Sequence, residues 1–142
     1  MRWLALFLMA SLTMLGVAHA QSVDEIISKG KVVVAVDPTS APFGVTGTDG
    51  QPDGYDVDVA RLLAKYMGVD LELVPVTSTN RIPYLLTNRV DLVISLFSIT
   101  PERALQVWFS DPYAAVGTVI TARKDKAIKG FDDLKGLKIG VP

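Results

Sequence analysis

Apolar and polar residues follow each other along the chain in a pattern that predicts strands and helices in turn. A continuous valine-rich run at 31–36 is typical of a strand buried on both faces of a sheet. Residues 71–76 and 91–96 predict two further strands. Between these strands, 56–67 and 80–87 carry apolar residues at helical spacing. The order strand, helix, strand, helix, strand predicts an α/β fold with a mainly parallel sheet.

Side-chain spacing also predicts which residues of the two helices face the core. The inward positions are Val57, Ala60, Leu63, Ala64 and Met67 in the longer helix, and Ile82, Leu85 and Leu86 in the shorter one. A first helix over 22–29, capped by Ser22 or Asp24 and ended by Gly30, is predicted ahead of the first strand. Residues 48–51 have the chemistry of a tight turn or small hairpin.

The pattern changes after residue 113. Residues 114–122 predict an extended run, 131–134 a helical turn, and 137–141 the start of a new strand. A strand that begins a new sheet needs partners to bury its faces. The prediction is therefore one lobe over 21–117, followed at 118–142 by the end of a crossing strand and an incomplete second lobe.

The first twenty residues differ from the rest and predict a cleaved export signal. Arg2 precedes a nearly continuous apolar stretch, and Ala18, His19 and Ala20 fit a small-residue cleavage site. The apolar stretch is shorter than the roughly 20 residues that a membrane span needs. Export predicts a location in the periplasm.

Composition narrows the chemistry of the remaining 122 residues. Removal of Arg2 leaves a net charge of −2, which gives no electrostatic reason to expect nucleic acid as a partner. The chain has no Cys, and its single His lies at position 19, so thiol chemistry and His-based triads are excluded from the mature chain. We expect no metal, no cofactor and no catalytic residue.

The segment 91–103 carries the most informative polar pattern. A strand runs into hydroxyls at Ser95, Ser98 and Thr100, and Thr100 and Pro101 have the chemistry of a helix start. Arg103 would lie in the first turn of that helix. Because all of these groups donate hydrogen bonds, the segment predicts a site for a carboxylate or a phosphate.

At this point the chain resembles the family 3 bacterial extracellular solute-binding proteins. The motifs that carry the resemblance are 54–59, 80–83, 90–92, 99–103, 109–113 and 132–136, with Asp37 and 41–43 ahead of them. The resemblance implies a periplasmic binding protein-like (type II) α/β lobe with a mainly parallel sheet, whose second lobe is incomplete here. It further implies a monomeric receptor that delivers a polar, possibly acidic, amino acid to the membrane permease of an ABC importer.

The resemblance also assigns roles to six residues. Arg103 matches the arginine that holds the ligand α-carboxylate, and Ser98 matches a hydroxyl donor to the same group. Leu96 matches a position whose carbonyl accepts from the ligand ammonium. The plain alternative for Arg103 is a surface salt bridge, and for Ser98 it is local turn capping.

The other three residues would face the rest of the ligand. Asp37 matches an acid near the ammonium or a basic side chain, Tyr55 an aromatic that stacks on the ligand, and Arg81 an arginine that reaches a side-chain carboxylate in receptors for acidic amino acids. The alternatives are a loop cap for Asp37, a core aromatic for Tyr55 and a helix-end salt bridge for Arg81.

The sequence is also compatible with two other functions. Periplasmic dehydratases that act on arogenate or prephenate resemble this family, and they need an acid that protonates a leaving group. A sensor module of a larger protein is the third possibility. The receptor interpretation, in which the protein is not an enzyme, is preferred because no such acid is evident.

Overall fold

The computed structural model describes residues 22–117 and 119–140. The predicted export signal lies outside the described residues. The chain divides into two compact units, with the first ending at Phe109 and the second beginning at Ser110. The predicted lobe boundary at residue 117 stays a prediction.

The first unit contains the helices and strands in the predicted order. Its helices are α1 (Val23–Lys29), α2 (Tyr55–Met67), α3 (Arg81–Leu86) and α4 (Pro101–Ala104). Its strands are β1 (Lys31–Val36), β2 (Val45–Thr46), β3 (Pro52–Asp53), β4 (Asp70–Pro75) and β5 (Leu92–Val93).

Strand β1 lies at the centre of a three-stranded sheet in the order β4-β1-β5. Both of its neighbours run parallel to it, with Val34 opposite Leu73 on one side and Leu92 on the other. The Asp91 carboxylate accepts a hydrogen bond of 2.7 Å from the backbone N–H of Val33, which ties the start of β5 to β1. The predicted mainly parallel sheet is confirmed, although β5 has only two residues.

The two faces of β1 belong to two different cores. Val32, Val34 and Val36 are fully buried among the apolar residues of α1 and α2. Ala35, on the opposite face, packs in a second cluster with Val76 and Val90 and with residues of α3. Because both faces of β1 are covered, apolar residues occupy successive positions along the strand.

The ends of α1 and α2 follow the predicted chemistry. Ser22 caps α1 in a capping box with Glu25, and Gly30 ends this helix at a φ of 67°. Helix α2 begins at Tyr55, one residue earlier than predicted, and Gly68 ends it at a φ of 69°. Strands β2 and β3 pair antiparallel, which confirms the hairpin around residues 48–51.

The prediction that Leu86 faces the core is wrong. The Leu86 side chain is 57 % exposed, whereas Arg81 in the same helix is buried. A helix of six residues presents one narrow face, and this face contains Arg81 and Leu85, four residues apart, so Leu86 points away.

The second unit is short and mostly irregular where it is described. No strand is present at 114–117, 119–122 or 137–140. The predicted helical turn is confirmed as a 3-10 helix at Phe131–Leu134, and the Asp133 carboxylate accepts from the backbone N–H groups of Lys129 and Gly130. Among the helices of the described ranges, none has the length and apolar content that a membrane crossing requires.

Candidate ligand-binding site

Polar residues converge where the three parallel strands end. β1 leads directly into Asp37, β4 leads through 76–80 into Arg81, and β5 leads into 94–98. The carboxyl ends of parallel strands lie at one edge of a sheet, and in such sheets this edge is the usual ligand-binding edge. The three segments therefore bring residues that are distant in sequence to one place.

Asp37 is a buried carboxylate that is held by its own loop. Its Oδ1 accepts hydrogen bonds from the backbone N–H of Thr39 at 3.0 Å and from the Thr39 hydroxyl at 2.7 Å. The loop then folds back so closely that a Cβ at Gly44 would overlap the Asp37 carbonyl oxygen. Only glycine fits at that position, so the loop fixes both the backbone and the side chain of Asp37.

The side chain of Arg81, in the first turn of α3, contacts residues on both sides of the site. Its Nη1 donates to the Ser95 hydroxyl at 2.9 Å and to the Leu96 carbonyl at 3.2 Å. Its Nη2 lies 3.7 Å from the Asp37 Oδ2, and both side chains are 6 % exposed. Arg81 therefore joins the end of β1 to the turn after β5.

The ring of Phe97 lies against two guanidinium groups. The guanidinium carbon of Arg81 is 4.9 Å from the ring centroid, and that of Arg103 is 4.8 Å away. Phe109 packs on the same ring with centroids 5.3 Å apart. A cation over an aromatic face is attracted by the ring quadrupole, so Phe97 holds both arginines in place.

Arg103 lies in the four-residue helix α4, which Thr100 caps by accepting from the Arg103 backbone N–H at 3.4 Å. Its Nη1 donates to the Ser98 carbonyl at 2.8 Å. No ion pair with Arg103 is found in the described ranges, so the surface salt bridge considered from sequence is not observed there. The half-buried guanidinium thus keeps donors available for an anion.

Burial and charge act in opposite directions on Arg81. Burial is the largest effect and lowers the pKa of the guanidinium below its ordinary value. Asp37 raises this pKa and the positive charge of Arg103 lowers it further. Two cations and one carboxylate therefore share the site, which leaves it with one excess positive charge.

Ser98 and Leu96 contact the arginines through their backbone carbonyls. Ser98 is exposed and accepts from Arg103, whereas the Leu96 carbonyl, expected to accept from a ligand ammonium, accepts from Arg81. The salt bridge considered for Arg81 at the start of its helix is observed, as a buried ion pair with Asp37.

Tyr55 lies at the start of α2 and packs on a different aromatic residue. Its ring meets Phe43 edge to face, with centroids 5.7 Å apart, and its side chain is 46 % exposed. The backbone N–H groups of Tyr55 and Asp56 donate to the carbonyls of Pro42 and Phe43. The structure therefore brings Asp37, Arg81, Leu96, Ser98 and Arg103 together around Phe97 and places Tyr55 beside the loop after Asp37.

Sequence reasoning missed Phe97. Ser95, predicted among the donors to an anion, is buried, and its hydroxyl accepts from Arg81. An aromatic residue in a polar turn between two serines is a signal that could have identified Phe97, since such a ring needs a cation or a ligand to cover it. No group of acidic or His side chains that could hold a metal is present in the described ranges.

Comparison with known proteins identifies the family. Residues 32–136 match the family described as bacterial extracellular solute-binding proteins, family 3. The chain belongs to this family, as the motifs at 54–59 and 99–103 implied.

Three similar proteins illustrate the match. The L-cystine-binding protein TcyJ of Escherichia coli K12 is 33 % identical over 140 residues, which are 97 % of this chain and 53 % of TcyJ. The ancestral amino-acid-binding protein AncCDT-1, a precursor of cyclohexadienyl dehydratase, is 44 % identical with a TM-score of 0.73, over 80 % of this chain and 51 % of that one. The arginine-bound domain 1 of the T. maritima arginine-binding protein is 41 % identical with a TM-score of 0.63, over 65 % of this chain and 73 % of that domain.

The chain spans about half the length of the curated relatives that it matches. Its first unit corresponds to the kind of lobe found in periplasmic binding proteins, which confirms the predicted fold class.

Proposed function

We propose that this chain carries the amino-acid-binding lobe of a periplasmic receptor for an ABC importer. The observation that carries the proposal is Arg103, whose half-buried guanidinium lies on Phe97, donates to the Ser98 carbonyl and has no acidic partner in the described ranges. A planar guanidinium can bind a carboxylate through two parallel hydrogen bonds. The relatives named for L-cystine, arginine, histidine and glutamine support an amino acid as the ligand.

The α-carboxylate of the ligand would bind Arg103, with the exposed Ser98 as a second donor. Tyr55 is exposed at the edge of the loop after Asp37, where it could stack on the ligand side chain. A second lobe would close over this half of the site, as in other proteins that close around a ligand by hinge motion. The closed form would then dock on the permease.

The enzyme alternative has less support. A dehydratase needs a carboxylic acid that can donate a proton to a leaving group. The carboxylate that the described residues offer at this site is Asp37, whose Oδ1 accepts two hydrogen bonds from Thr39 and whose Oδ2 faces Arg81. These contacts suit a residue that orients a cation rather than a proton donor.

Ligand binding is tested by NMR titration of the 15N-labelled chain with the twenty amino acids at millimolar concentration. We expect the amides of Phe97, Ser98 and Arg103 to shift with at least one of them. The methyl ester of the same amino acid lacks the carboxylate and serves as the matched control, for which we expect no shift at these amides. Equal binding of the ester, or no response to any amino acid, would contradict the proposal.

Two further measurements address the location and the enzyme alternative. Expression in a Gram-negative host should yield a periplasmic protein whose amino terminus, read by mass spectrometry, is Gln21. Incubation with prephenate or arogenate should leave these compounds unchanged. Retention of residues 1–20 would argue against export, and turnover of either compound would favour the dehydratase.

A further inference from the structure

We propose that Arg81 is a built-in counter-ion for Asp37 and that it makes this lobe select amino acids without a positively charged side chain. The inference rests on the proposed function, because it concerns which amino acids the lobe accepts. Arg81 lies against the Asp37 carboxylate, the group with which a guanidinium or ammonium of a basic ligand would need to pair.

Both oxygens of Asp37 are already engaged. Oδ1 accepts from the N–H and hydroxyl of Thr39, and Oδ2 faces Nη2 of Arg81 at 3.7 Å. A cationic ligand side chain would have to displace Arg81 to reach this carboxylate. Displacement would leave a buried guanidinium without a counter-ion, which is strongly unfavourable.

Arg81 is held in this position from several directions. Its Nη1 bonds the Ser95 hydroxyl and the Leu96 carbonyl, and its guanidinium lies on Phe97. Nε is buried and has no hydrogen-bond partner among the described residues. The side chain is thus fixed in the wall of the site, and its charge remains there when a ligand arrives.

The charges of the site act in the same direction. Arg103 adds a second positive charge on the same Phe97 ring, so the cluster carries an excess of one positive charge beside a single carboxylate. The α-carboxylate and α-ammonium of an amino acid together add no net charge to this excess. A cationic side chain would increase it, a neutral one would leave it unchanged, and an acidic one would offset it.

The test compares two pairs of nearly isosteric ligands that differ in side-chain charge: L-citrulline with L-arginine, and L-norleucine with L-lysine. Affinities are measured by NMR titration of the chain and of its Arg81→Gln, Arg81→Lys and Asp37→Asn/Arg81→Gln variants. We expect the wild type to bind the neutral member of each pair at least about tenfold more tightly. Arg81→Lys keeps the charge and should keep this preference.

Arg81→Gln frees the Asp37 carboxylate and should shift the neutral-to-cationic affinity ratio toward the cation by about tenfold or more. The double variant lacks that carboxylate, so its affinity ratio should not shift toward the cationic ligand. Equal or tighter wild-type binding of arginine or lysine overturns the inference, and so does an unchanged ratio in folded Arg81→Gln. If Arg81→Gln does not fold, the neutral-to-cationic affinity ratios of the wild type and of Arg81→Lys still test the inference. A wild type that responds to none of the twenty amino acids overturns the proposed function itself.

Discussion

The guanidinium carbons of Arg81 and Arg103 lie 4.9 Å and 4.8 Å from the centroid of one ring, that of Phe97. The two arginines differ in their surroundings. Arg81 is buried and is paired with Asp37, whereas Arg103 is half-buried and bonds only a backbone carbonyl in the described ranges. One arginine is therefore part of the wall, and the other is available to a ligand.

This arrangement separates structural from binding roles within one electropositive cluster. Two like charges close together are unfavourable, and the positive charge of Arg103 adds to burial in lowering the pKa of Arg81. The Asp37 carboxylate and the Phe97 ring offset part of that repulsion. A bound carboxylate would offset more of it, so the cluster is suited to gaining an anion.

Arg103→Ala should reduce amino-acid affinity about 100-fold, which corresponds to about 2.7 kcal/mol, because it removes the charged fork that would hold the α-carboxylate. Arg103→Lys keeps the charge but lacks the two parallel donors of the guanidinium, and its amino-acid affinity should fall about tenfold. Affinities are measured by calorimetry or NMR titration. The control is Arg61→Ala, at an exposed arginine paired with Asp53 and Asp58 outside the site. Affinity within a few-fold of wild type in Arg103→Ala would exclude this role.

Phe97→Leu should weaken ligand binding about fivefold to tenfold while the chain stays folded. Leucine keeps an apolar contact but has no π-face, and each cation–π contact contributes about 0.5–1 kcal/mol at a partly exposed site. The loss should appear in titrations as a weaker affinity with unchanged ligand ranking. Phe131→Leu, at a ring that is 86 % exposed in the second unit, is the matched control. Equal effects of the two substitutions would show that Phe97 does not support the arginines.

Gly54→Ala should lower the free energy of unfolding by about 2–3 kcal/mol, measured by urea denaturation with circular dichroism. Gly54 has a φ of 108°, and a Cβ there would lie 2.7 Å from the Phe43 carbonyl oxygen. Gly50→Ala is the control, because Gly50 has a φ of 79° with open space around it. Its cost should be about 1 kcal/mol. A Gly54 variant no less stable than the Gly50 variant would mean that the close approach is relieved by a small backbone shift.

Acid should weaken the start of α4 through Glu102. Its own backbone N–H, the Thr100 hydroxyl and the charge of Arg103 lower the pKa of the Glu102 carboxyl below 4.5. A depressed pKa in the folded state means that the stabilisation is present above pH 4.5 and is lost as the pH falls through the folded pKa. The NMR chemical shifts of the α4 amides should stay constant as the pH falls to 4.5 and should change only below it, near the folded-state pKa of Glu102.

Glu102→Gln removes the titrating group and should abolish this pH-dependent change at α4. The measurement is a pH series of 1H–15N spectra on both proteins. A Glu102 carboxyl that titrates at or above its ordinary value would show that these donors do not stabilise its charge.

The backbone of the first unit was predictable because its signals are local. The valine run of β1, the helical stripe of α2, the capping box at Ser22 and the left-handed glycine at Gly68 each depend on residues a few positions apart. The prediction that Leu86 faces the core was wrong because a six-residue helix has too few apolar positions to define its inward face. The strand predicted at 137–141 is absent at 137–140, because an apolar run alone does not supply pairing partners.

Site residues were predictable to a different degree. Asp37 and Arg103 could be selected as residues at a strand end and a helix start, whereas Arg81 was selected through the resemblance to the family. Their convergence follows from the parallel sheet. Their pairing could not be predicted, since the sequence does not specify which of the two arginines lies beside the carboxylate after β1. Phe97 was missed because its role depends on which cations come to lie over its ring.

The sequence by itself determined the order of strands and helices, the parallel sheet and the edge at which polar residues gather. These follow from periodicity and capping, which act within a few residues. Only the tertiary structure decided that Arg81 is buried against Asp37 while Arg103 stays available beside Ser98. The physical reason is that burial and Coulomb interactions depend on distances between segments far apart in the chain, which local patterns do not specify.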